Sequence, residues 1–248
     1  MLVEKNLPWS GTIILACLLG CLLATTVHAG DRKEFNPDRV YTVAFAQDTM
    51  SNDWRAAQVR DVETALSKYP FIKFIFTDAE GSGARQALDT ERLINDGADV
   101  IITSPRNINT MTPVISRAYK KGIPVILLTR RITNDDYTTF IGADDYEIGR
   151  QAADYLAKKL KGKGQIVMLK GVETETTSIQ RTKGFTDQIK MYPDMAVIAE
   201  EFADYRRNKA IIAMEKILAK NVRFDALYAQ SDGMATGARM AMKRAGID

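Results

Sequence analysis

The sequence predicts an α/β protein of two three-layer lobes with parallel sheets, truncated at the C-terminus. Three observations carry this. First, residues 100–105 and 123–131 contain continuous apolar runs, rich in β-branched residues, on either side of the amphipathic stretch 112–119. Strands apolar on both faces belong inside a parallel sheet covered by helices, so this is a right-handed β-α-β unit. Second, the unit recurs. Residues 225–232 resemble residues 99–106, and a helix over 234–245 ends in Lys243-Arg244-Ala245-Gly246-Ile247, as the earlier one ends in Lys120-Lys121-Gly122-Ile123. Third, the strand at 40–45 answers the strand at 165–169, and each leads through a polar loop into a helix. Two similar halves predict two lobes with a cleft between them. The repeat also calls for a fourth strand after Ile247, where the sequence stops at Asp248. The second lobe is therefore expected to be incomplete and the chain deficient in ligand binding.

Residues 1–29 read as a cleaved signal peptide. Lys5 precedes an apolar run over 13–24, and Val27-His28-Ala29 offers small residues at the two positions a signal peptidase reads. The run is short for a membrane span of about 20 residues. Leu18-Leu19-Gly20-Cys21 resembles a lipoprotein signal only faintly, because apolar residues continue after the cysteine. Cleavage would remove both cysteines, Cys17 and Cys21, and the only histidine, His28. The remaining chain can form no disulfide, no Ser-His-Asp or Cys-His catalytic system and no usual zinc site. No cofactor or metal is expected. The composition, 46% hydrophobic and 26% charged, is that of a globular protein, and a net charge of +3 is too small to argue for nucleic acid.

Residues 30–39 are polar, contain Pro37 and read as a linker. The N-terminal lobe is expected over 40–142 and an incomplete C-terminal lobe over 143–248. A strand at 40–46 leads into a helix at 54–69 with Val59, Val62, Leu66 and Tyr69 on one face, ended by Pro70. A strand at 71–77 follows. Gly81-Ser82-Gly83 could open a phosphate loop, but Gln86 stands at the last fingerprint position, so a turn with Ser82 as helix cap is preferred. A short strand at 137–141 precedes a helix whose start carries Asp144 and Asp145, read as capping carboxylates rather than a metal pair. Beyond lie a strand at 165–169, a loop at 171–178 feeding a helix at 179–191, a strand at 195–200, an exit loop at 202–207 and a helix at 208–220.

In open α/β sheets ligands bind outside the carboxyl ends of the strands. The polar and aromatic residues at those exits are Gln47, Asp48, Asn52, Trp54 and Arg55; Ser104 and Arg106; Thr129 and Arg130; residues 173–177; Tyr205, Arg206 and Arg207; and Ser231 and Asp232. Planar donors and acceptors interleaved with aromatic faces suit a sugar, whose hydroxyls take bidentate bonds while an apolar ring face packs on Trp or Tyr. Arg131 should point away from Arg130, since neighbours on a strand face opposite ways.

The chain resembles the type I periplasmic sugar-binding proteins, receptors of ABC sugar importers in the ribose and galactose class. The stretches that carry the resemblance are Asn52-Asp53-Trp54-Arg55-Ala56-Ala57, Ile123-Pro124-Val125-Ile126-Leu127-Leu128-Thr129-Arg130, Gln180-Arg181-Thr182-Lys183-Gly184-Phe185 and Ala229-Gln230-Ser231-Asp232-Gly233-Met234. The Trp-Arg-Ala-Ala start is similar to the galactofuranose-binding branch. The resemblance implies two Rossmann-like lobes. It puts Trp54 and Arg55 against the ligand, gives Arg130 ring or anomeric hydroxyls, places Tyr205 opposite, and sets Ser231 and Asp232 at the second lobe's edge. Arg181 matches the family's arginine before Gly-Phe. With Gln47, Asn52, Ser104, Thr129 and Glu173, these form the expected ligand-binding set. Two departures stand out: Thr129-Arg130 where the family has Asp-Arg, and Ser231-Asp232 where it often has Asn-Asp. Arg106, Arg131 and Arg206 would suit an acidic sugar.

The implied function is a monomeric periplasmic receptor, without catalysis, that captures a monosaccharide by hinge closure and delivers it to the membrane permease of an ABC importer. The alternatives are a sensor that presents bound sugar to a chemoreceptor or sensor kinase, and a sugar enzyme using Asp48, Asp53, Glu173 or Asp232 as an acid-base pair.

Overall fold

The computed structural model describes residue 36 and residues 38–247. The expected signal peptide at 1–29, with Cys17, Cys21 and His28, and the linker through residue 35 lie outside the described residues.

The first sheet contains β1 (Tyr41–Gln47), β2 (Ile72–Asp78), β3 (Val100–Thr103), β4 (Val125–Leu128) and β5 (Thr139–Ile141) in the order β2-β1-β3-β4-β5. All its pairings are parallel. Alternate residues of β1 serve the two faces. Val43 and Phe45 pack with Val59 of α1 (Asp53–Leu66) on one side. Ala44 and Ala46 face Leu93 and Ile94 of α2 (Gly83–Asn95) and Met111 and Ile115 of α3 (Ile108–Lys120) on the other. Each fully buried large side chain, such as Phe45, Ile101 or Leu127, contributes about 1.5–3 kcal/mol. Ser82 caps α2 as the sequence suggests, its hydroxyl accepting from the Arg85 N–H at 3.2 Å. By contrast, α3 starts at Ile108 rather than Thr112, because Asn107 Oδ1 takes the N–H groups of Asn109 and Thr110. Pro113 thus lies inside the helix.

The second sheet has β6 (Lys163–Lys170), β7 (Asp194–Phe202) and β8 (Ala226–Ala229) in the order β7-β6-β8, again parallel. Ile166 and Met168 face α4 (Asp145–Lys159) and α5 (Thr176–Ile189), with Phe185 between them. Val167 and Leu169 face α6 (Arg207–Leu218) and α7 (Asp232–Arg244). Among the described residues this sheet has three strands against five in the first, and the outer edge of β8 is unpaired. Asp144 caps α4, accepting from the Glu147 N–H at 3.0 Å. Helices α4 and α5 cross at two glycines: a Cβ on Gly149 would sit 2.1 Å from the Arg181 carbonyl oxygen, and one on Gly184 2.0 Å from that of Tyr146.

Candidate functional site

All five strands of the first sheet run the same way, so the exits of β1, β3 and β4 meet at one end. Gln47 closes β1 and braces the loop into α1. Its Nε2 donates to the Arg55 carbonyl at 3.2 Å, and its Oε1 accepts from the Asp48 N–H at 3.0 Å. Asn52 caps α1 by accepting from the Arg55 N–H at 2.9 Å. That first turn aims Arg55 back over the strand exits. Arg55 Nη1 donates to Ser104 Oγ at 2.6 Å and Thr129 Oγ1 at 3.3 Å, and Nε lies 3.4 Å from Asp48 Oδ1.

Thr129 holds a φ of 62°, an outlier for a β-branched residue and a conformation that costs energy. This reversal sends the next side chain inward. Arg130 is 2% exposed, and its Nη1 donates to Asp48 Oδ2 at 2.7 Å. Arg131 leaves on the other side, its guanidinium 3.7 Å above the Phe140 ring and donating to Tyr137 Oη at 2.9 Å. Arg106 Nη1 stands 3.7 Å from Asp48 Oδ2. Asp48 therefore sits among three guanidiniums.

Gln86 fixes this arrangement from beneath. Its Nε2 reaches the Ala46 carbonyl (3.1 Å), Thr103 Oγ1 (3.2 Å) and the Ser104 carbonyl (3.0 Å), while Oε1 accepts from the Arg106 N–H at 2.9 Å. Gln86→Leu keeps the volume and strips the Ser104 carbonyl and the Arg106 N–H of their partner, while Thr103 Oγ1 and the Ala46 carbonyl keep each other at 2.8 Å. The variant is expected to lose about 2–4 kcal/mol, read by denaturant unfolding, since each orphaned buried group costs about 1–3 kcal/mol.

The second half meets the first here. Glu175, at the start of α5, is buried and ion-paired with Arg130 Nη2. The loop after β7 adds Asp204 and Tyr205, with φ of 50° and 57°, two successive residues in the left-handed region. The Tyr205 ring packs so closely on Gly171 that a Cβ there would lie 2.1 Å from its Cζ. Hydrogen bonds cross the junction from Arg131 N–H to Thr176 Oγ1 (2.9 Å), Thr177 Oγ1 to the Thr129 carbonyl (3.1 Å), Thr174 Oγ1 to the Arg106 carbonyl (3.3 Å) and Ile108 N–H to the Thr174 carbonyl (3.2 Å). Arg106 Nη2 also stands 3.6 Å from Asp204 Oδ2.

Burial pushes the Asp48 carboxyl up, but the guanidiniums of Arg130, Arg55 and Arg106 outweigh it and hold the group below the usual carboxylate range. Burial pushes Glu175 up, and the pull of Arg130 and Arg55 does not offset it. Burial, with Arg130 beside it, brings Arg55 down to about 10, which leaves it protonated at neutral pH. Tyr205 is raised by burial and then by the Glu175 charge. The centre thus sets guanidiniums around one carboxylate held ionised and one that accepts a proton more readily.

Of the residues expected to bind ligand, the structure brings Arg55, Ser104, Thr129, Arg130 and Tyr205 together. Gln47 and Asn52 adjoin them but are occupied in holding backbone. Trp54 is 66% exposed and stands outside the buried cluster. Glu173 is exposed, and Glu175 occupies the buried position instead. Arg181 is held by Asp145 Oδ1 at 2.9 Å and the Gln230 carbonyl at 2.8 Å. Ser231 caps α7, accepting from the Met234 N–H at 3.3 Å, and Asp232 is exposed in its first turn. Asp48, Arg106, Glu175 and Gln86 complete the cluster. The first two stand at strand exits and are visible as such; Gln86, read only as a broken phosphate fingerprint, carries no signal.

Two parallel α/β halves meeting over their strand exits, with buried arginines and carboxylates at the junction, define a bilobal binding protein. The family model described as a periplasmic binding protein domain matches residues 43–248, and the chain belongs to that family. It is 32% identical over 176 residues to a xylitol-binding protein of Mycolicibacterium smegmatis, covering 71% of this chain and 50% of the relative. It is 31% identical over 215 residues to a galactofuranose-binding protein of Escherichia coli, covering 83% of this chain and 67% of the relative. The fructose binding periplasmic domain of a hybrid two component system superposes with a TM-score of 0.80 at 37% identity, over 84% of this chain and 69% of that one. The chain thus spans about half the length of the xylitol-binding relative and about two thirds of the others.

Proposed function

We propose that this protein is a periplasmic receptor that holds a monosaccharide between its two halves and presents the closed form to the permease of an ABC importer. The observation that carries this reading is the junction itself, where Arg130 of the first half meets Glu175 of the second over the strand exits. Sugar hydroxyls can exchange for these contacts one by one, since guanidinium and carboxylate groups take bidentate bonds. Closure then follows because a ligand bound by both halves favours the closed arrangement by its extra contacts. The signal segment read in the sequence supports a periplasmic location, and a monomer suffices for the mechanism.

A second reading keeps the binding and changes the listener. The likeness to the periplasmic domain of a two component system favours a receptor whose closed form docks on a signalling partner. An enzyme is disfavoured by geometry: Asp53, Glu173 and Asp232 are exposed, whereas Asp48 is sealed among arginines.

A thermal-shift panel of pentoses, hexoses and furanoses on the full chain tests the reading. A ligand present at 100 times its Kd should add about 2.7 kcal/mol, and mass spectrometry should recover it unchanged. Stabilisation by none of the sugars, or a chemically altered sugar, would overturn it.

A further inference from the structure

The buried junction carries more positive than negative charge. Asp48 is shared by Arg55, Arg106 and Arg130, and among the described residues Glu175 is ion-paired with Arg130 alone. Asp204 is divided between Arg106 and Lys209. That leaves Arg206. Its guanidinium reaches across from the second half to lie over Gly81 of the first: a Cβ on Gly81 would stand 2.5 Å from Arg206 Nη2 and 3.8 Å from the Arg106 Cζ. Two guanidiniums therefore crowd one spot. Among the described residues no carboxylate lies within 4.0 Å of Arg206, and its buried Nε has no hydrogen-bond partner.

The helix that Arg206 precedes adds to the field. Arg206 is the N-cap of α6 and its side chain makes no capping hydrogen bond among the described residues, and the first turn holds no acidic residue. Arg207 and Lys209 follow at once. Cations there oppose the helix dipole, and Ser, Thr, Asp or Asn would be the stabilising choice. A second group points the same way. Arg130, 2% exposed, has an Nε that finds no hydrogen-bond partner among the described residues.

We propose that the cleft takes a monosaccharide bearing an anionic oxygen group, a carboxylate or a phosphate, and that Arg206 with Arg106 receives that group. The inference rests on the receptor reading above. Arg206 is half-buried with its Nε closed off from solvent; a guanidinium so placed without a counter-charge is costly, and its planar fork matches a carboxylate or phosphate. The free N–H groups at the start of α6 favour the same charge. A neutral sugar would leave the excess uncompensated.

Calorimetry on the full chain with matched sets tests this: D-galactose with D-galacturonate and D-galactose 6-phosphate, D-glucose with D-glucuronate and D-glucose 6-phosphate, and L-arabinose with L-arabinonate. In at least one set an acid should bind about tenfold or more tightly than its neutral parent, as expected for a charge-assisted contact. The carboxylate and phosphate arms identify which anion is read. Arg206→Gln should cut affinity for the acid about tenfold, more than for the parent sugar. It should melt no lower than the unaltered protein, because the cation it removes is unpaired. Neutral parents binding as tightly as their acids, or equal losses for both on Arg206→Gln, would overturn the inference and leave the receptor reading standing. Binding by no member of any set, together with stabilisation by none of the sugars in the thermal-shift panel, would overturn both.

Discussion

Arg130→Ala is expected to destabilise the protein by about 3–5 kcal/mol at neutral pH, the effect of removing one partner from a buried ion pair. Among the described residues, Arg130 is the one cation ion-paired with Glu175 and the nearest of three for Asp48. Without it, Asp48 keeps Arg55 at 3.4 Å and Arg106 at 3.7 Å. Glu175 keeps nothing comparable, so it must take a proton or leave the junction. Denaturant unfolding measures the loss. Arg130→Met combined with Glu175→Gln should recover most of it, because neither charge is then stranded.

The pH dependence has a definite sign. Glu175 has a raised carboxyl, so its contribution is fully present below about 4.3 and fades as pH climbs through the raised folded value. Asp48 is the opposite case: its contribution is present above about 3.9 and is lost as pH falls through its lowered value. Arg130→Ala raises Glu175 further, so the loss should be smaller at about pH 5 than at about pH 8. The same loss at both would show that Glu175 does not share the junction with Arg130.

The strands were the most legible part of the chain, because Val100-Ile101-Ile102 and Val125-Ile126-Leu127 are apolar on both faces and few structures other than a covered parallel sheet accept that. Arg130 was legible for a related reason: it follows directly on such a run. The device that turns it inward was not, since a φ of 62° at Thr129 has no glycine to announce it. The start of α5 lacks local signals. Thr176-Thr177-Ser178 are weak helix formers, and Glu175 makes no side-chain cap, so the sequence reads as loop as far as Ser178. That shift is what exchanges Glu173 for Glu175. Ser231 and Asn52 show a different limit. Hydroxyl and amide side chains at a strand exit serve equally as ligand contacts or helix caps, and only the folded geometry distinguishes the two.

Gly184→Ala is expected to destabilise the fold by about 3 kcal/mol, although alanine is the better helix former by about 1 kcal/mol. The sign turns on what the new methyl meets. On Gly184 it would lie 2.0 Å from the Tyr146 carbonyl oxygen and 2.8 Å from its carbon. Those atoms are backbone of α4 and cannot rotate away, so α4 and α5 must separate. Gly233, in the first turn of α7, is the control. There a Cβ would find only the Tyr205 carbonyl oxygen at 3.9 Å, an ordinary contact. Gly233→Ala should therefore be neutral or stabilising by up to about 1 kcal/mol. The consequence reaches the site, because α5 carries Thr176 and Thr177 in its first turn and Glu175 just ahead of it. Moving α5 off α4 displaces the groups that meet Arg131 and Thr129 across the junction, at 2.9 Å and 3.1 Å. Gly184→Ala should thus weaken sugar binding as well as folding, while Gly233→Ala leaves the melting temperature level or higher. Equal melting temperatures for the two variants would mean that α4 and α5 do not approach so closely at Gly184.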